Sequence, residues 1–334
     1  MSYHDALNYL IQKTSVVELY DQLGGRVAVC PDWNGRVLTS TNGGLEGDSF
    51  GYINVQAIDT DCYEDFGGED QWTLSPLIYT YSIESIKANH TILQRTHQMA
   101  DANGTPVEFH LTRTISLLSR YQAGAMFADA LADALEQNDV SVVCFHTENT
   151  VRLQERAYVA CRQRGMFNAS PSTAVIVSEP PVSFTPEPFS ADIDYLGGAP
   201  HGRVRHLPKT LLIRADGHGR CQVTIPFATA PPIFGAIERW SGTLTLWTYD
   251  LPNGSEENDM IRMYNPGHSH GNELDWATYY EMNCFSAVRE VVPECPLTYS
   301  QCTLHINADN ALLDELIQQI FGVSLQEIAK KMLW

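Results

Sequence analysis

Val16-Val17-Glu18-Leu19-Tyr20, Arg26-Val27-Ala28-Val29-Cys30 and Arg36-Val37-Leu38-Thr39-Ser40 are three runs rich in β-branched and apolar residues, set close together near the start of the chain. Gly24-Gly25 separates the first two and Asp32-Trp33-Asn34-Gly35 the last two, and both separators have the composition of turns. Short strands joined by tight turns make an antiparallel meander. The same texture returns at 106–119, 140–153, 172–177, 209–213, 222–226, 244–249, 276–285 and 299–306. Strands do not alternate with helices along the chain, so the expected fold is mainly all-β, a large antiparallel sandwich rather than a parallel crossover sheet.

Helical spacing is confined to a few places. Tyr3, Leu7, Leu10 and Ile11 predict a short amphipathic helix over residues 3–13. Ala123–Gln137, with Met126, Phe127, Ala130, Leu131 and Leu135 at near-helical spacing, predicts one helix laid across a sheet and ending at Asn138-Asp139. Ala311–Phe321 reads as a helix stopped by Gly322, and Ser324-Leu325-Gln326-Glu327 has the form of a capping box that opens a last helix. Gly217-His218-Gly219-Arg220 reads as a hairpin turn. The proline-bearing stretch from Glu179 to Ser190 has strands of one character on both sides, so residues 1–334 are expected to form one domain.

Composition narrows the partners. Lys and Arg number 21 against 40 Asp and Glu, a formal charge of -19, which repels nucleic-acid phosphates and anionic lipid surfaces. No apolar run approaches the ~20 residues needed to span a bilayer. The opening Met1-Ser2-Tyr3-His4-Asp5 lacks the basic segment and apolar stretch of a secretion signal, so a cytoplasmic protein is expected, with no nucleic-acid or membrane partner. The eight cysteines show no C-x-x-C pair and are expected to be reduced thiols.

Several stretches in order along the chain carry a resemblance. They are Gly35–Thr41, Ser49–Asn54, Phe66-Gly67-Gly68-Glu69-Asp70, Thr147-Glu148-Asn149-Thr150, Gly165–Pro171, Met263-Tyr264-Asn265 and Phe321–Ile328. Together they resemble a bacterial family of unknown function with the galactose-mutarotase-like β-supersandwich fold, distantly similar to aldose 1-epimerases. The resemblance spans nearly the whole chain and implies an antiparallel supersandwich with short N- and C-terminal helices. It speaks to fold more than to activity, since one fold hosts many functions. Two departures stand out: Gln71 follows Gly-Gly-Glu-Asp where the family carries Arg, and Leu77-Ile78-Tyr79-Thr80 replaces a polar stretch.

Mutarotation opens and recloses a sugar ring, so one group must take the anomeric proton and another must protonate the ring oxygen. Thr278-Tyr279-Tyr280-Glu281-Met282-Asn283, followed by Pro296-Leu297-Thr298-Tyr299, resembles the mutarotase strand that bears the catalytic base, and the resemblance makes Glu281 that base. Its plainer role is a strand carboxylate paired with an arginine. In Val142–Arg152 the period of 2 puts His146, Glu148 and Arg152 on one face, and because mutarotases keep an acid-bearing strand near this place, the resemblance makes His146 the candidate acid. Pairing with Glu148 or Arg152 is its alternative. Arg36, Glu69, Asp70, Glu148, Asn149 and Asn265 are the candidate sugar contacts; Arg36 bridging to Glu69 or Asp70 would serve structure instead.

His268-Ser269-His270-Gly271-Asn272-Glu273 places His268, His270 and Glu273 as weak metal candidates beside the plainer reading of an exposed polar loop. Phosphate-cradling and serine-hydrolase motifs are absent, and no cofactor is implied. The sequence thus supports a carbohydrate-active protein that interconverts sugar anomers by a Glu281 and His146 pair. The alternatives are a non-catalytic sugar-binding protein on the same scaffold, or a metal-dependent sugar isomerase or lyase.

Overall fold

A computed structural model describes residues 1–74, 80–127, 129–137, 140–178, 191–194, 202–226, 232–250, 260–266, 279–286 and 288–334. The chain opens with α1 (Tyr3–Ile11), β1 (Val17–Tyr20), β2 (Arg26–Cys30), β3 (Arg36–Thr41), a 3-10 turn at Tyr63–Phe66, β4 (Gly68–Thr73), β5 (Ser82–Lys87), β6 (His90–Ala100) and β7 (Pro106–Leu117). Then come α2 (Arg120–Phe127), α3 (Asp129–Gln137), β8 (Ser141–Leu153), β9 (Ala157–Val159), β10 (Arg162–Asn168), β11 (Thr173–Ser178), β12 (Asp192–Asp194), β13 (Val204–Leu207) and β14 (Thr210–Arg214). The last part holds β15 (Cys221–Pro226), β16 (Ile233–Glu238), β17 (Thr243–Asp250), β18 (Met260–Asn265), β19 (Tyr279–Phe285), β20 (Arg289–Val291), β21 (Leu297–Asn307), α4 (Asn310–Phe321) and α5 (Leu325–Met332).

Two antiparallel sheets carry the fold. One has nine strands in the order β1-β2-β3-β4-β10-β19-β18-β15-β12, the other ten in the order β13-β14-β11-β16-β17-β21-β8-β7-β6-β5, and β20 pairs with β9 apart from both. The sheets stack because their strands alternate. Along β7 the side chains of Val107, Phe109, Leu111, Arg113, Ile115 and Leu117 are buried, while those that alternate with them are only partly buried. Trp72, Val29 and Val37 of the nine-stranded sheet meet Phe109, Leu111 and Phe145 of the ten-stranded one. Farther along, Met282, Cys284 and Ile261 meet Trp247, Phe234 and Val175. Each such side chain taken wholly from water contributes about 1.5–3 kcal/mol.

Helices cover the outer faces. Leu131, Leu135, Leu313, Leu316, Ile317 and Ile328 from α3, α4 and α5 pack on Cys144, Leu244, Leu304 and Ile306, which face away from the partner sheet. On the other side Tyr3, Ala6 and Leu10 of α1 pack with Ala28, Leu38 and Phe66. The capping box forms: the Ser324 hydroxyl accepts from the Glu327 amide, and the Glu327 carboxylate accepts from the Ser324 amide at 2.9 Å.

Two expectations about local structure are corrected. The helix predicted over 123–137 is a pair, α2 and α3, folded so tightly that a Cβ at Gly124 would lie 2.0 Å from Cα of Ala132. Gly217–Arg220 is not a hairpin, because β14 belongs to the ten-stranded sheet and β15 to the nine-stranded one. Among the described residues no helix is long and apolar enough to cross a membrane.

Candidate functional site

β19 lies inside the nine-stranded sheet between β10 and β18. Its alternation turns Tyr280, Met282 and Cys284 into the core and leaves Tyr279, Glu281, Asn283 and Phe285 on the outer face. Glu281 is nevertheless only 3% exposed. A carboxylate there needs compensation, and β10 supplies it: Met166 stands opposite Glu281 and Arg164 opposite Asn283, so Arg164 reaches Glu281 on the diagonal. Its guanidinium bridges to Oε1, while Nδ2 of Asn283 donates to Oε2 at 3.1 Å. Arg162 stands 3.8 Å from Oε2, and Asp65 of the 3-10 turn lies 3.9 Å from Arg164.

Aromatic rings border this polar centre. Tyr279 stacks on Tyr52 at 4.7 Å, and Arg162 and Arg262 lie over the Phe285 ring at 5.2 and 4.8 Å. Burial alone would lower the Arg164 pKa, but the Glu281 charge outweighs it and holds the guanidinium above its ordinary range. Burial and then the same carboxylate push the Tyr279 phenol up, so it keeps its proton. The result is a carboxylate, a protonated phenol and several guanidinium groups on one sheet face.

The other expected site residues are not gathered there. His146 and Glu148 share the outer face of the ten-stranded sheet with Cys144, which packs under the helices; Glu281 is on the outer face of the opposite sheet. Both sheets therefore stand between His146 and Glu281, and the two do not form one acid and base pair. Burial lowers the His146 pKa, against the pull of Glu148 and Asp70. Glu148 is exposed.

Glu69 and Asp70 turn inward together. Arg164 pairs with Gln71 and Met166 with Gly68, so Glu69 and Asp70 both face the single residue Gly165, a β-bulge. Gly67 and Gly68 make this possible, with φ of 93° and 113° and backbone so close that a Cβ on Gly67 would lie 1.9 Å from the Tyr52 carbonyl oxygen. Asp70 accepts from Arg113 at 2.9 Å and from the Thr147 hydroxyl at 2.6 Å, and Asn149 accepts from the same Arg113, all wholly buried between the sheets. Glu69 takes the Ser40 amide and hydroxyl and meets Nε2 of His305 at 2.7 Å. Asp70 and Asn149 thus tie the two sheets together in a network excluded from solvent.

Arg36 is buried on the outer face of the nine-stranded sheet, donates to the Gly67 carbonyl at 2.8 Å and lies over the Phe66 ring. It shares that face with Glu281 through the 3-10 turn, whose Phe66 and Asp65 approach Arg36 and Arg164 respectively. Asn265 fastens the 217–219 turn, accepting from the Gly217 amide at 3.1 Å and donating to the His218 and Gly219 carbonyls at 2.7 and 2.8 Å. His268, His270 and Glu273 lie outside the described residues. Among the described residues no three His, Cys, Asp or Glu side chains gather where a metal ion could be held.

Arg162, Arg164, Asn283 and Tyr52 were not singled out from the sequence. Arg162-Gln163-Arg164 does carry a signal, two cations at the period of a strand beside the apolar Met166-Phe167. Such a pair asks for a carboxylate on a neighbouring strand.

Solved structures share this architecture. The chain superposes on the Slr1438 protein from Synechocystis with a TM-score of 0.56 at 10% identity, covering 89% of this chain and 96% of that one. It superposes on a galactose mutarotase-like protein from Lactobacillus casei with a TM-score of 0.54 at 9% identity, covering 88% and 99%. For a GalM/aldose epimerase homologue from C. elegans the TM-score is 0.52 at 9% identity, covering 89% and 100%. These likenesses establish the galactose-mutarotase-like fold. A search of curated proteins found no match. One family model does match, over residues 1–85 and 77–332, and with nearly the whole length accounted for the chain belongs to the Family of unknown function (DUF6786).

Proposed function

We propose that the protein binds a carbohydrate on the outer face of its nine-stranded sheet, around Glu281. The observation that carries this reading is a carboxylate 3% exposed at the centre of that face, held by Arg164 and Asn283 and bordered by the Tyr52 and Tyr279 rings. Sugars present alternating hydroxyl groups and apolar ring faces, which pair with fixed charged groups and with aromatic rings respectively. The likeness in fold to a galactose mutarotase-like protein and to an aldose epimerase homologue supports a sugar as the ligand class.

Both carboxylate oxygens of Glu281 already accept a donor, which favours holding a ligand in place over proton abstraction. Anomer interconversion at this face requires an acid other than His146. Tyr279 is two residues from Glu281 on the same face and retains its proton.

Titration of the full chain with a panel of monosaccharides, read by saturation-transfer NMR, tests the proposal. At least one sugar is expected to bind, and Glu281→Gln, which keeps the size of the side chain and removes its charge, is expected to weaken it by about 1.5–3 kcal/mol, the worth of a hydrogen bond to a charged group. Saturation transfer between the two anomers, lost in the same variant, would add the catalytic step. No transfer to any sugar, or equal affinity in Glu281→Gln, overturns the reading.

A further inference from the structure

The His305 and Glu69 pair lies beneath a cavity on the opposite side of β10 and β19 from the face that carries Glu281. Between the ends of the two sheets is a space of about 210 Å³, lined among others by Phe50, Phe167, Tyr280, His305, Glu238 and Asp48. At ~30 Å³ per water this is room for about seven waters, enough for one compact ligand and too little for a chain of sugars. Four of its rings touch in sequence: Phe50 stacks on His305 at 4.3 Å, His305 meets Phe167 at 5.9 Å, and Phe167 stacks on Tyr280 at 5.6 Å.

The polar groups of this cavity are unequally satisfied. Both His305 nitrogens are engaged, Nδ1 with the Thr245 hydroxyl at 2.8 Å and Nε2 with Glu69 at 2.7 Å. Tyr280 is only 4% exposed, lines the cavity, and has no hydrogen-bond partner for its hydroxyl among the described residues. A hydroxyl that opens on the cavity and bonds no described side chain is free to bond a group placed there. Burial, then the Glu238 and Glu69 charges, keep the phenol protonated.

Two carboxylates, Glu238 and Asp48, are in the lining. Burial favours protonation of Glu238, but the Ser172, Ser241 and Ser170 hydroxyls outweigh it and hold the carboxyl below its ordinary range. Asp48 is exposed at the mouth. No lysine or arginine is among the lining residues. Carboxylates beside a run of aromatic rings, with no lysine or arginine in the lining, attract positive charge by Coulomb and cation–π terms together.

We propose that this cavity is a second ligand site and takes a small organic ammonium ion, its charge toward Glu238 and the rings and a hydrogen-bonding group on the Tyr280 hydroxyl. The site shares no residue with the sugar face, which lies on the other side of the same strands.

Isothermal titration calorimetry of the full chain with choline and with its uncharged isostere 3,3-dimethylbutan-1-ol tests the proposal. Choline is expected to bind and the isostere to bind about 10-fold more weakly, the equivalent of ~1.4 kcal/mol from the charge. Tyr280→Phe should weaken both compounds by a similar factor, about 5-fold, because it removes the bond they share. Glu238→Gln should weaken choline alone. Glu238 also holds three serines, so Ala169→Trp serves as a second variant: Ala169 lines the cavity and makes none of those hydrogen bonds itself, and an indole would occupy the space. It should abolish choline binding while the circular dichroism spectrum stays unchanged. No heat from choline, equal affinity for the isostere, or full binding by the folded Ala169→Trp variant overturns the assignment.

Discussion

Arg113 of β7 and Asp70 of β4 form an ion pair of 2.9 Å that joins the two sheets, with both side chains wholly excluded from solvent. Nε of Arg113 donates to the Gly35 carbonyl at 2.8 Å, and Thr147 and Asn149 bond to the same pair, while Asp70 Oδ1 and Asn149 Nδ2 are buried without a partner among the described residues. Replacing a buried pair by apolar groups is often tolerated, but removing one partner strands the other charge. Asp70→Ala is therefore expected to cost about 3–5 kcal/mol, read as a lower urea midpoint with an unchanged slope. A wild-type midpoint would show that Asp70 does not anchor Arg113.

Gly165 faces the bulge from β10. A Cβ there would lie 2.6 Å from ring carbons of Phe167 and Trp247 and 2.8 Å from the Glu69 carbonyl oxygen. The rings can shift, but the carbonyl belongs to the bulge itself. Gly165→Ala should lose about 1–3 kcal/mol and melt at a lower temperature. Unaltered melting in a calorimeter would mean that the bulge is free to move.

His146 links stability to pH. Burial depresses its folded pKa, so on acidification the unfolded chain takes up a proton before the folded one does. The stabilisation it contributes is full above its unfolded pKa of about 6.5 and is lost as pH falls through the depressed folded value. His146→Asn should flatten the fall in stability between neutral and mildly acid pH, measured by denaturation at several pH values. A variant with the same slope as the wild type would assign that fall to other groups.

All eight cysteines are free thiols, but only Cys62 and Cys295 are exposed. Burial pushes the Cys221 thiol up to about 11, and raises Cys30 and Cys161 further still. Alkylation of the native protein, followed by intact mass, should add label at Cys62 and Cys295 alone, and unfolding without reductant should expose the other six to it. Rapid native labelling of Cys144 or Cys302, whose sulfurs lie 3.3 Å apart under the helices, would indicate that this face opens.

Local sequence made some of this legible. The meander of β1 to β3, the long β7 and β8, and the helices at both ends follow from side-chain periods that each segment carries within itself. β4, β6 and β10 were harder to see, since their glycines, glutamines and charged residues dilute the alternation. The site was readable only in part. Glu281 stands out because its strand resembles the mutarotase strand that bears the base, and the structure places it 3% exposed beside Arg164. The inward turn of Asp70 and Glu69 depends on a bulge against Gly165, and the separation of His146 from Glu281 depends on which sheet each strand joins. Pairing between strands more than a hundred residues apart is a tertiary fact, absent from any local pattern.

β21 sits between β17 and β8, in the interior of the ten-stranded sheet, although it is the last strand of the chain. During synthesis, β8 and β17 wait for Leu297–Asn307 to leave the ribosome before either is paired on that side. Until then each presents an open row of backbone donors and acceptors, the feature that draws neighbouring chains into aggregates. Folding must also close loops of great length, which makes it slow. A chain released before Leu297 would keep most of its residues and still have a ten-stranded sheet split in two, so premature termination near the end is expected to yield insoluble protein rather than a shortened working one.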